Sequence, residues 1–405
     1  MKLLHTSDWH LGRMLYSKKE RYAEHRQFLE WLLNTISEQS VDVLLVAGDI
    51  FDTAAPSNTS LKIYYDFLLQ VRNCGCSNIV IIGGNHDSPS LLDAPKEILS
   101  ALNVSVVGKA RENPEDEVLV LNSKNGNPVA IVCAVPFLRE RDISRFIEGE
   151  SYASRSNRIA ESIASHYAAV AKIACNKQME IGKPIPVIAT GHLSLAGGKT
   201  VADDGVRDTY IGSVECMRAD IFPQSFDYIA LGHFHIASAV GGNEKIRYSG
   251  SPIAMGFGEC NQAKSVVVVD FVQNKIVPLE IPVFQKMESV CGNKNIIAGR
   301  LDELKEKDES VWIEVVYDGN ELFADLTAWI DARIAGSKIE VLKVQNKMLL
   351  NTVLTKDAID CQLENLSETD VFGKLLEEKD FPEEQKTELN GLYLQILNEI
   401  NEQEE

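Results

Sequence analysis

The stretch FDYIALGHFHIA, residues 226–237, places strand-like apolar sequence before a glycine and two histidines. Side chains two residues apart in an extended segment lie on the same side of the backbone, so His233 and His235 face the same way. Two imidazoles on one side of a strand end have little use in packing a core. The pattern favours a shared ligand, and histidine is a common protein ligand of metal ions.

Four other segments repeat this construction: KLLHTSDWH, VDVLLVAGDIFD, NIVIIGGNHD and PVIATGHLS, which begin at residues 2, 41, 78 and 186. Each ends in a side chain that can bind a metal, and in four of the five segments that residue follows a glycine. Glycine lets the chain turn tightly without a Cβ clash. The candidate ligands are Asp8, His10, Asp49, Asn85, His192, His233 and His235.

The first 270 residues alternate short β-branched runs with longer helical patterns, which predicts a layered α/β domain. Helical periodicity is found in residues 21–39 and 143–178. In an open α/β sheet, ligands bind beyond the carboxyl ends of the strands. We therefore expect the seven candidate side chains to converge at one edge of the structure.

The types of side chain indicate what they bind. Four imidazoles, two carboxylates and a carboxamide suit divalent ions such as Mn²⁺, Fe²⁺ or Zn²⁺. Seven ligands are too many for one ion that must also admit a substrate, whereas two ions that share a bridging carboxylate keep open positions. Two ions about 3.5–4 Å apart can hold a shared hydroxide and clamp the oxygens of an in-line displacement at phosphorus. Each motif alone is more often an ordinary turn, so the prediction depends on all five in this order.

The charge of the chain limits its partners. The 405 residues carry a formal net charge of −19, which argues against capture of nucleic acid by charge alone. Residues 351–405 hold 15 acidic against 4 basic side chains, which is more than half of the excess. No apolar run reaches the length of a membrane span, and the eight cysteines show no pairing pattern. We expect a cytoplasmic protein with reduced thiols and no membrane contact.

A change of pattern near residue 274 predicts a division of the chain. Residues 1–273 form the predicted catalytic domain, and residues 274–347 contain a β-α-β module with strands at DESVWIEVVYD and KIEVLKVQN. Residues 348–405 have the pattern of acidic amphipathic helices. Such helices pack either on their own domain or against a partner, and the pattern alone favours neither.

The motifs D-x-H, G-D, G-N-H-D, G-H and G-H-x-H, in this order, resemble those of the calcineurin-like metallophosphoesterases. HTSDWHLG, VAGDIFDTAAPS, ATGHL, VRDTYIG, DYIALGHFH and RYSGSP further resemble the SbcD family of bacterial nuclease subunits. The resemblance covers nearly the whole chain. It implies an α/β fold in which a β-sandwich is flanked by helices, a small α+β capping domain that recognises DNA, and a C-terminal helical segment.

The resemblance also implies roles for single residues. One ion would be held by Asp8, His10, Asp49 and His235, and the other by Asp49, Asn85, His192 and His233. His86 would be catalytic, because it would stabilise the transition state or protonate the leaving oxygen. Asp52 matches the carboxylate that orients this histidine in related phosphoesterases, although archaeal and eukaryotic relatives carry a histidine there. Its alternative role is a turn or helix cap ahead of TAAPSN.

The implied function is that of a DNA nuclease with two divalent ions, Mn²⁺ first and Fe²⁺ as the alternative. The family acts with an SbcC-type ATPase in a heterotetramer, as a double-strand 3'–5' exonuclease and a single-strand and hairpin endonuclease in DNA repair, recombination and replication. A homodimer is implied through apolar helices at residues 58–72 and 91–103. Candidate DNA contacts are Arg139, Arg141, Lys199 and Arg207.

Three other functions use the same motifs. A phosphoprotein phosphatase carries an arginine in a D-R-G segment after the bridging aspartate, and GDIFDTAAP has none. A cyclic-nucleotide phosphodiesterase would have no need of residues 275–400. A non-catalytic scaffold tends to lose ligands, and this sequence has all seven.

Overall fold

The computed structural model describes residues 1–145, 147, 150–199, 217–319 and 325–347. The predicted helical segment 348–405, the VRDTYIG motif and Arg207 lie outside these residues. Residues Met1–Asn346 belong to one compact unit. Among the helices that the structure describes, we find none with the length and apolar character that a bilayer crossing requires.

The secondary structure of the described residues begins with a strand and alternates strands with helices. The strands are β1 (Lys2–Thr6), β2 (Met14–Leu15), β3 (Lys19–Glu20), β4 (Val43–Ala47), β5 (Asn78–Ile82), β6 (Val104–Val107), β7 (Val118–Asn122), β8 (Pro128–Cys133), β9 (Val187–His192), β10 (Tyr228–Gly232), β11 (Ser238–Val240), β12 (Asn243–Tyr248), β13 (Ser265–Asp270), β14 (Lys275–Glu280), β15 (Lys286–Gly292), β16 (Val311–Tyr317) and β17 (Ile339–Asn346). The helices are α1 (Tyr22–Gln39), α2 (Asn58–Val71), α3 (Pro89–Asp93), α4 (Lys96–Ser100), α5 (Glu140–Ile143), α6 (Tyr152–Ile181), α7 (Lys294–Glu306) and α8 (Leu326–Ile334). Short 3₁₀ turns cover Arg72–Cys74, Pro114–Glu117, Ala219–Ile221 and Phe257–Glu259.

Two six-stranded sheets pack face to face. Their orders are β14-β13-β1-β4-β5-β6 and β11-β12-β10-β9-β8-β7. The strands β1, β4, β5 and β6 are parallel, as are β8, β9, β10 and β12, whereas the outer strands pair antiparallel to them.

Alternate side chains of each strand serve two cores. Leu3 of β1 packs between the sheets, against Ile188 and Tyr228 of the second sheet, while Leu4 packs outward with the side chains of α1 and α2. Helix α6 covers the outer face of the second sheet. The predicted α/β sandwich flanked by helices is therefore confirmed.

The strand β14 belongs to the first sheet, although the sequence pattern predicts that the second module starts near residue 274. It pairs with β13 from Lys275 to Glu280, after a turn in which Asn274 has a φ of 51°. A proline inside KIVPLE is typical of an edge strand, which explains why this strand closes the sheet. The elements of the second module therefore begin at Lys286.

The second module contains more elements than the sequence predicts. It has the order β15-α7-β16-α8-β17, and its three strands form a parallel sheet. It packs on the sandwich through a cluster of Leu15, Phe257, Met287, Trp312 and Leu342. Lys19 Nζ also forms an ion pair at 2.6 Å with Glu340 of β17. The module therefore contacts the segment that follows His10.

Candidate metal centre

The five predicted strand ends meet at one edge of the sandwich. In the first sheet β1, β4 and β5 are neighbours, and in the second sheet β9 and β10 are neighbours. Hydrogen bonds join the two sheets there, from His192 Nδ1 to the Ala47 carbonyl at 2.9 Å and from the His233 N–H to Asp8 Oδ1 at 2.9 Å. These bonds hold the ends of the ligand-bearing strands against one another.

Four of the candidate ligands have a left-handed backbone. The φ angles are 53° for Asp8, 47° for His10, 51° for Asp49 and 104° for His233. Residues other than glycine rarely adopt such angles, and strained backbone clusters at functional sites. Asp8 N–H donates to the Gly48 carbonyl at 3.0 Å, and His10 N–H donates to the Asp49 carbonyl at 3.0 Å, so the surrounding structure holds these conformations.

Glycines beside the ligands leave room for them. Gly48 has a φ of +88°, and a Cβ added there would lie 2.4 Å from His192 Nδ1. A Cβ on Gly84 would lie 2.2 Å from Asp49 Oδ1. The glycines of the strand–glycine motifs are thus required by the close approach of ligand side chains.

The first group of candidate ligands surrounds His10. Its Nε2 lies 3.2 Å from His235 Nε2 and 3.6 Å from Asp49 Oδ2. Asp8, His10 and His235 each offer a ligand atom, and these atoms lie within 4.8 Å of one another. All of these side chains are buried, and the set matches the first predicted metal site.

The second group surrounds His192. Its Nε2 lies 3.0 Å from Asn85 Oδ1 and 3.3 Å from Asp49 Oδ2. Asn85 Oδ1 also lies 3.3 Å from His233 Nδ1. Asp49 Oδ2 is therefore close to ligand atoms of both groups, which is the position that a bridging carboxylate needs. The structure brings all seven predicted ligands together.

The hydrogen bonds of this centre fit a cation. His192 Nδ1–H donates to the Ala47 carbonyl, so in the neutral ring Nε2 carries a lone pair. That lone pair faces Asn85 Oδ1 and Asp49 Oδ2, which are also acceptors. Buried acceptors that converge without a donor are unfavourable. Divalent ions accept electron pairs from all of these atoms, so the residues fit the metals that the donor types indicate.

Charges in the centre agree with this interpretation. Burial would raise the pKa of Asp49, but the imidazoles of His192 and His10 hold it well below its usual value. Burial lowers the pKa of His10 to about 4, so this ring is neutral at pH 7. Burial would also lower the pKa of His192, but the carboxylates of Asp49 and Asp8 raise it to about 9. A metal ion would displace the His192 proton, so metal affinity is expected to rise with pH.

His86 lies beside both groups. Its backbone N–H donates to Asp49 Oδ1 at 2.9 Å, and its ring packs against that of His10 with a centroid distance of 4.7 Å. Ring Nδ1–H donates to the main-chain carbonyl of Asp52 at 2.8 Å. The other ring nitrogen is therefore left for chemistry at the centre.

Asp52 makes different contacts from those that the family resemblance implies. Its carboxylate lies 3.3 Å from His10 Nδ1 and 3.1 Å from Arg13 Nη1, so the side chain supports a candidate ligand. Its main-chain oxygen, not its carboxylate, binds His86. The alternative role of a helix cap belongs to Ser57, whose hydroxyl accepts the Ser60 N–H at the start of α2.

Comparison with known proteins agrees with this geometry. Residues 1–237 match the family described as calcineurin-like phosphoesterase. The chain is 35% identical to the SbcD component of the SbcCD nuclease of Escherichia coli K12, with 99% of this chain and 98% of the relative covered. The chain belongs to the SbcD family of calcineurin-like phosphoesterases. As a family member it is a metal-dependent phosphoesterase that binds divalent ions.

Other SbcD proteins and a second family cover further parts of the chain. The SbcD protein of Rhodobacter capsulatus is 31% identical and that of Bacillus subtilis 27% identical, each with 82% of this chain covered and with 84% and 79% of the relatives. Residues 283–380 match the type 5 capsule protein repressor C-terminal domain. The similarity to SbcD proteins thus extends through the second module.

Several residues that support the ligands of this SbcD-family protein were not predicted. Asp87 accepts the N–H groups of Ile50, Phe51 and Gly84, and so joins two strand ends; its place in the G-N-H-D motif is a signal for it. Ser7 Oγ donates to Asp8 Oδ2 at 2.5 Å.

Glu259 is a further unpredicted residue, and its Oε1 lies 3.5 Å from His235 Nδ1. The segment GFGECNQAK around it shows neither a strand nor a strand–glycine break, so no local pattern indicates it.

The candidate DNA contacts have different environments. Arg139 is half-buried, and its Nη2 donates to the main-chain oxygen of Asp87 at 3.2 Å, beside His86. The Arg141 side chain is 68% exposed, and its nearest acid is Asp142 at 4.0 Å. Lys199 is exposed. Arg139 is thus the candidate tied to a loop of the metal centre.

Proposed function

We propose that this chain is a DNA nuclease that hydrolyses phosphodiester bonds with two divalent ions. The observation that carries the proposal is the convergence of seven nitrogen and oxygen ligands around Asp49 in an SbcD-family fold. We propose Mn²⁺ as the metal and Fe²⁺ as its alternative, because imidazole and carboxylate together suit these ions.

The proposed ligand roles follow the two groups of contacts. Asp8, His10, Asp49 and His235 hold one ion, and Asp49, Asn85, His192 and His233 hold the other. When bound, such a pair of ions supplies a deprotonated water for attack and neutralises charge on the phosphate oxygens. Asp49 is fixed for its bridging role by the His86 N–H, which binds Oδ1 and leaves Oδ2 toward both groups.

His86 is the proposed catalytic residue. Because its Nδ1–H is held by the Asp52 carbonyl, the ring orientation is fixed before substrate binds. In its protonated form the ring donates Nε2–H to a phosphate oxygen in the transition state or to the leaving oxygen. Asp52 takes part through its main-chain oxygen at His86 and through its carboxylate at His10.

The proposed activities are those of a double-strand 3'–5' exonuclease and a single-strand and hairpin endonuclease, with residues 1–273 catalytic and residues 274–347 recognising DNA. The relatives are named as components of the SbcCD nuclease, which supports an SbcC-type ATPase as partner in a heterotetramer. Leu69 of α2 is 58% exposed and Ile98 of α4 is 73% exposed, which supports a homodimer through these helices.

Cleavage of linear and hairpin DNA by the purified chain tests the proposed function. We expect hydrolysis with Mn²⁺, loss of activity with a chelator, and recovery when Mn²⁺ is added back. The assays are run with and without the SbcC-type ATPase, and cyclic nucleotides and an aryl phosphate are offered in parallel. Hydrolysis of either small substrate together with inert DNA in every assay would overturn the nuclease proposal.

Residues 348–405 are proposed to dock the ATPase partner. Deletion of this segment is expected to abolish co-purification with the partner, because its acidic amphipathic helices carry the docking surface. Binding of Mn²⁺ by the truncated chain serves as the control for folding, since every proposed ligand is retained. If the truncated chain still elutes with the partner in size-exclusion chromatography, docking lies elsewhere.

A further inference from the structure

A buried ion pair lies behind His235. Glu259 is fully buried, and the side chain of Lys264 is only 10% exposed. Glu259 Oε1 lies 3.5 Å from His235 Nδ1, while Oε2 binds Lys264 Nζ and accepts the Met255 N–H at 3.0 Å. One carboxylate therefore joins the imidazole to the ammonium group.

Lys264 contacts the same histidine a second time. Its Nζ donates to the His235 main-chain oxygen at 3.0 Å and to Ser251 Oγ at 2.9 Å. Burial of a carboxylate and an ammonium group is costly unless both are paired and hydrogen-bonded, as they are here. The pair thus holds His235 at both its ring and its backbone.

The opposing histidine has the same arrangement. His10 Nδ1 lies 3.3 Å from Asp52 Oδ1, which Arg13 Nη1 binds at 3.1 Å. The Nε2 atoms of His10 and His235 face each other at 3.2 Å. His192 in the second group differs, because its Nδ1–H donates to a neutral main-chain carbonyl.

We propose that the Glu259–Lys264 pair positions His235 as a metal ligand, and that with the Asp52–Arg13 pair it makes the His10–His235 site the tighter of the two metal sites. The inference rests on the ligand roles of the proposed function. A carboxylate that accepts Nδ1–H fixes the tautomer and makes Nε2 a stronger donor to the metal. A neutral carbonyl does this less, so the two ions bind unequally.

Titration of the full chain with Mn²⁺ tests the inference, with calorimetry for affinity and electron paramagnetic resonance for the number of bound ions. We expect two ions of different affinity in the unaltered protein. In E259Q the affinity for the tighter ion falls about 10- to 100-fold, the usual effect of losing such a partner, while the weaker ion is unchanged. D52N is expected to lower the affinity for the same ion.

E117Q is the matched control. Glu117 is also fully buried, and its carboxylate binds His166 Nε2 at 2.7 Å and the Arg111 N–H at 2.6 Å. E259Q leaves Lys264 buried without a charged partner, so E259Q/K264Q, which removes both charges, is measured too. Thermal melting of the metal-free variants identifies any loss of folding.

The outcomes separate the two proposals. Two bound ions in the unaltered protein, with both affinities unchanged in E259Q/K264Q, would overturn the positioning role and leave the nuclease proposal standing. A loss confined to the weaker ion would also overturn it. Fewer than two ions in the unaltered protein would overturn the proposed dinuclear centre together with this inference.

Discussion

D49N is expected to reduce phosphodiester hydrolysis at least about 10³-fold, because metal ions supply several kcal/mol of transition-state stabilisation and each 1.36 kcal/mol is a factor of ten. Asp49 Oδ2 lies 3.3 Å from His192 Nε2 and 3.6 Å from His10 Nε2, so it is the group that both proposed ions share. Asparagine keeps the shape and still accepts the His86 N–H through its oxygen. It removes the charge that bridges the ions.

The measurement for D49N is the single-turnover rate on linear DNA with saturating Mn²⁺, together with the number of bound ions. D227N is a matched control, because Asp227 accepts the Val187 N–H at 2.9 Å where β9 begins, at the opposite end of that strand from His192. D227N should retain full activity. A D49N protein that binds two ions and cleaves DNA at the unaltered rate would exclude Asp49 as the bridge.

H86Q is expected to lower kcat about 10²- to 10⁴-fold, the range typical of a lost general acid or base, while two Mn²⁺ ions stay bound. The prediction separates catalysis from coordination. The Asp52 carbonyl already takes Nδ1–H, which leaves one ring nitrogen, and that nitrogen is proposed to act on the phosphate and not on a metal.

Metal binding by H86Q is the decisive comparison. His86, His10 and Asp49 offer ligand-type atoms that lie within 4.8 Å of one another, so the geometry by itself also permits His86 as a ligand. H166Q is the control, because His166 pairs with Glu117. Full turnover in H86Q would remove His86 from the mechanism, and loss of an ion would move it into the ligand set.

The sequence predicted the strands and ligands that depend on local pattern. The strand Val43–Ala47 has the bounds that its apolar run predicts, because a strand buried on both faces is apolar throughout. The strand–glycine breaks located the ligands, because the carboxyl ends of parallel strands share one edge.

The contacts behind the ligands could not be predicted in this way. Glu259 reaches His235 from a 3₁₀ turn, Phe257–Glu259, that folds back against the end of β10. The contact of Asp52 with His10 depends on Arg13 and on the course of the chain between two strands. Such pairings arise from tertiary approach and leave no spacing in the sequence.

The helix Lys294–Glu306 shows a signal that the sequence does carry. Ile297, Leu301 and Leu304 are buried at helical spacing, and the Asn293 side chain accepts the N–H groups of Asn295 and Ile296 as an N-cap. The strand before it, Lys286–Gly292, alternates irregularly between buried and exposed positions, so periodicity gives no clear prediction there.

The most direct test of the dinuclear centre is anomalous diffraction from crystals of the chain soaked in Mn²⁺. We expect two peaks about 3.5–4 Å apart, the spacing of paired catalytic ions, with Asp49 Oδ2 between them. One peak should adjoin His10 and His235, and the other should adjoin Asn85 and His192. A single peak, no peak, or two peaks that do not share Asp49 would contradict the proposed two-metal chemistry.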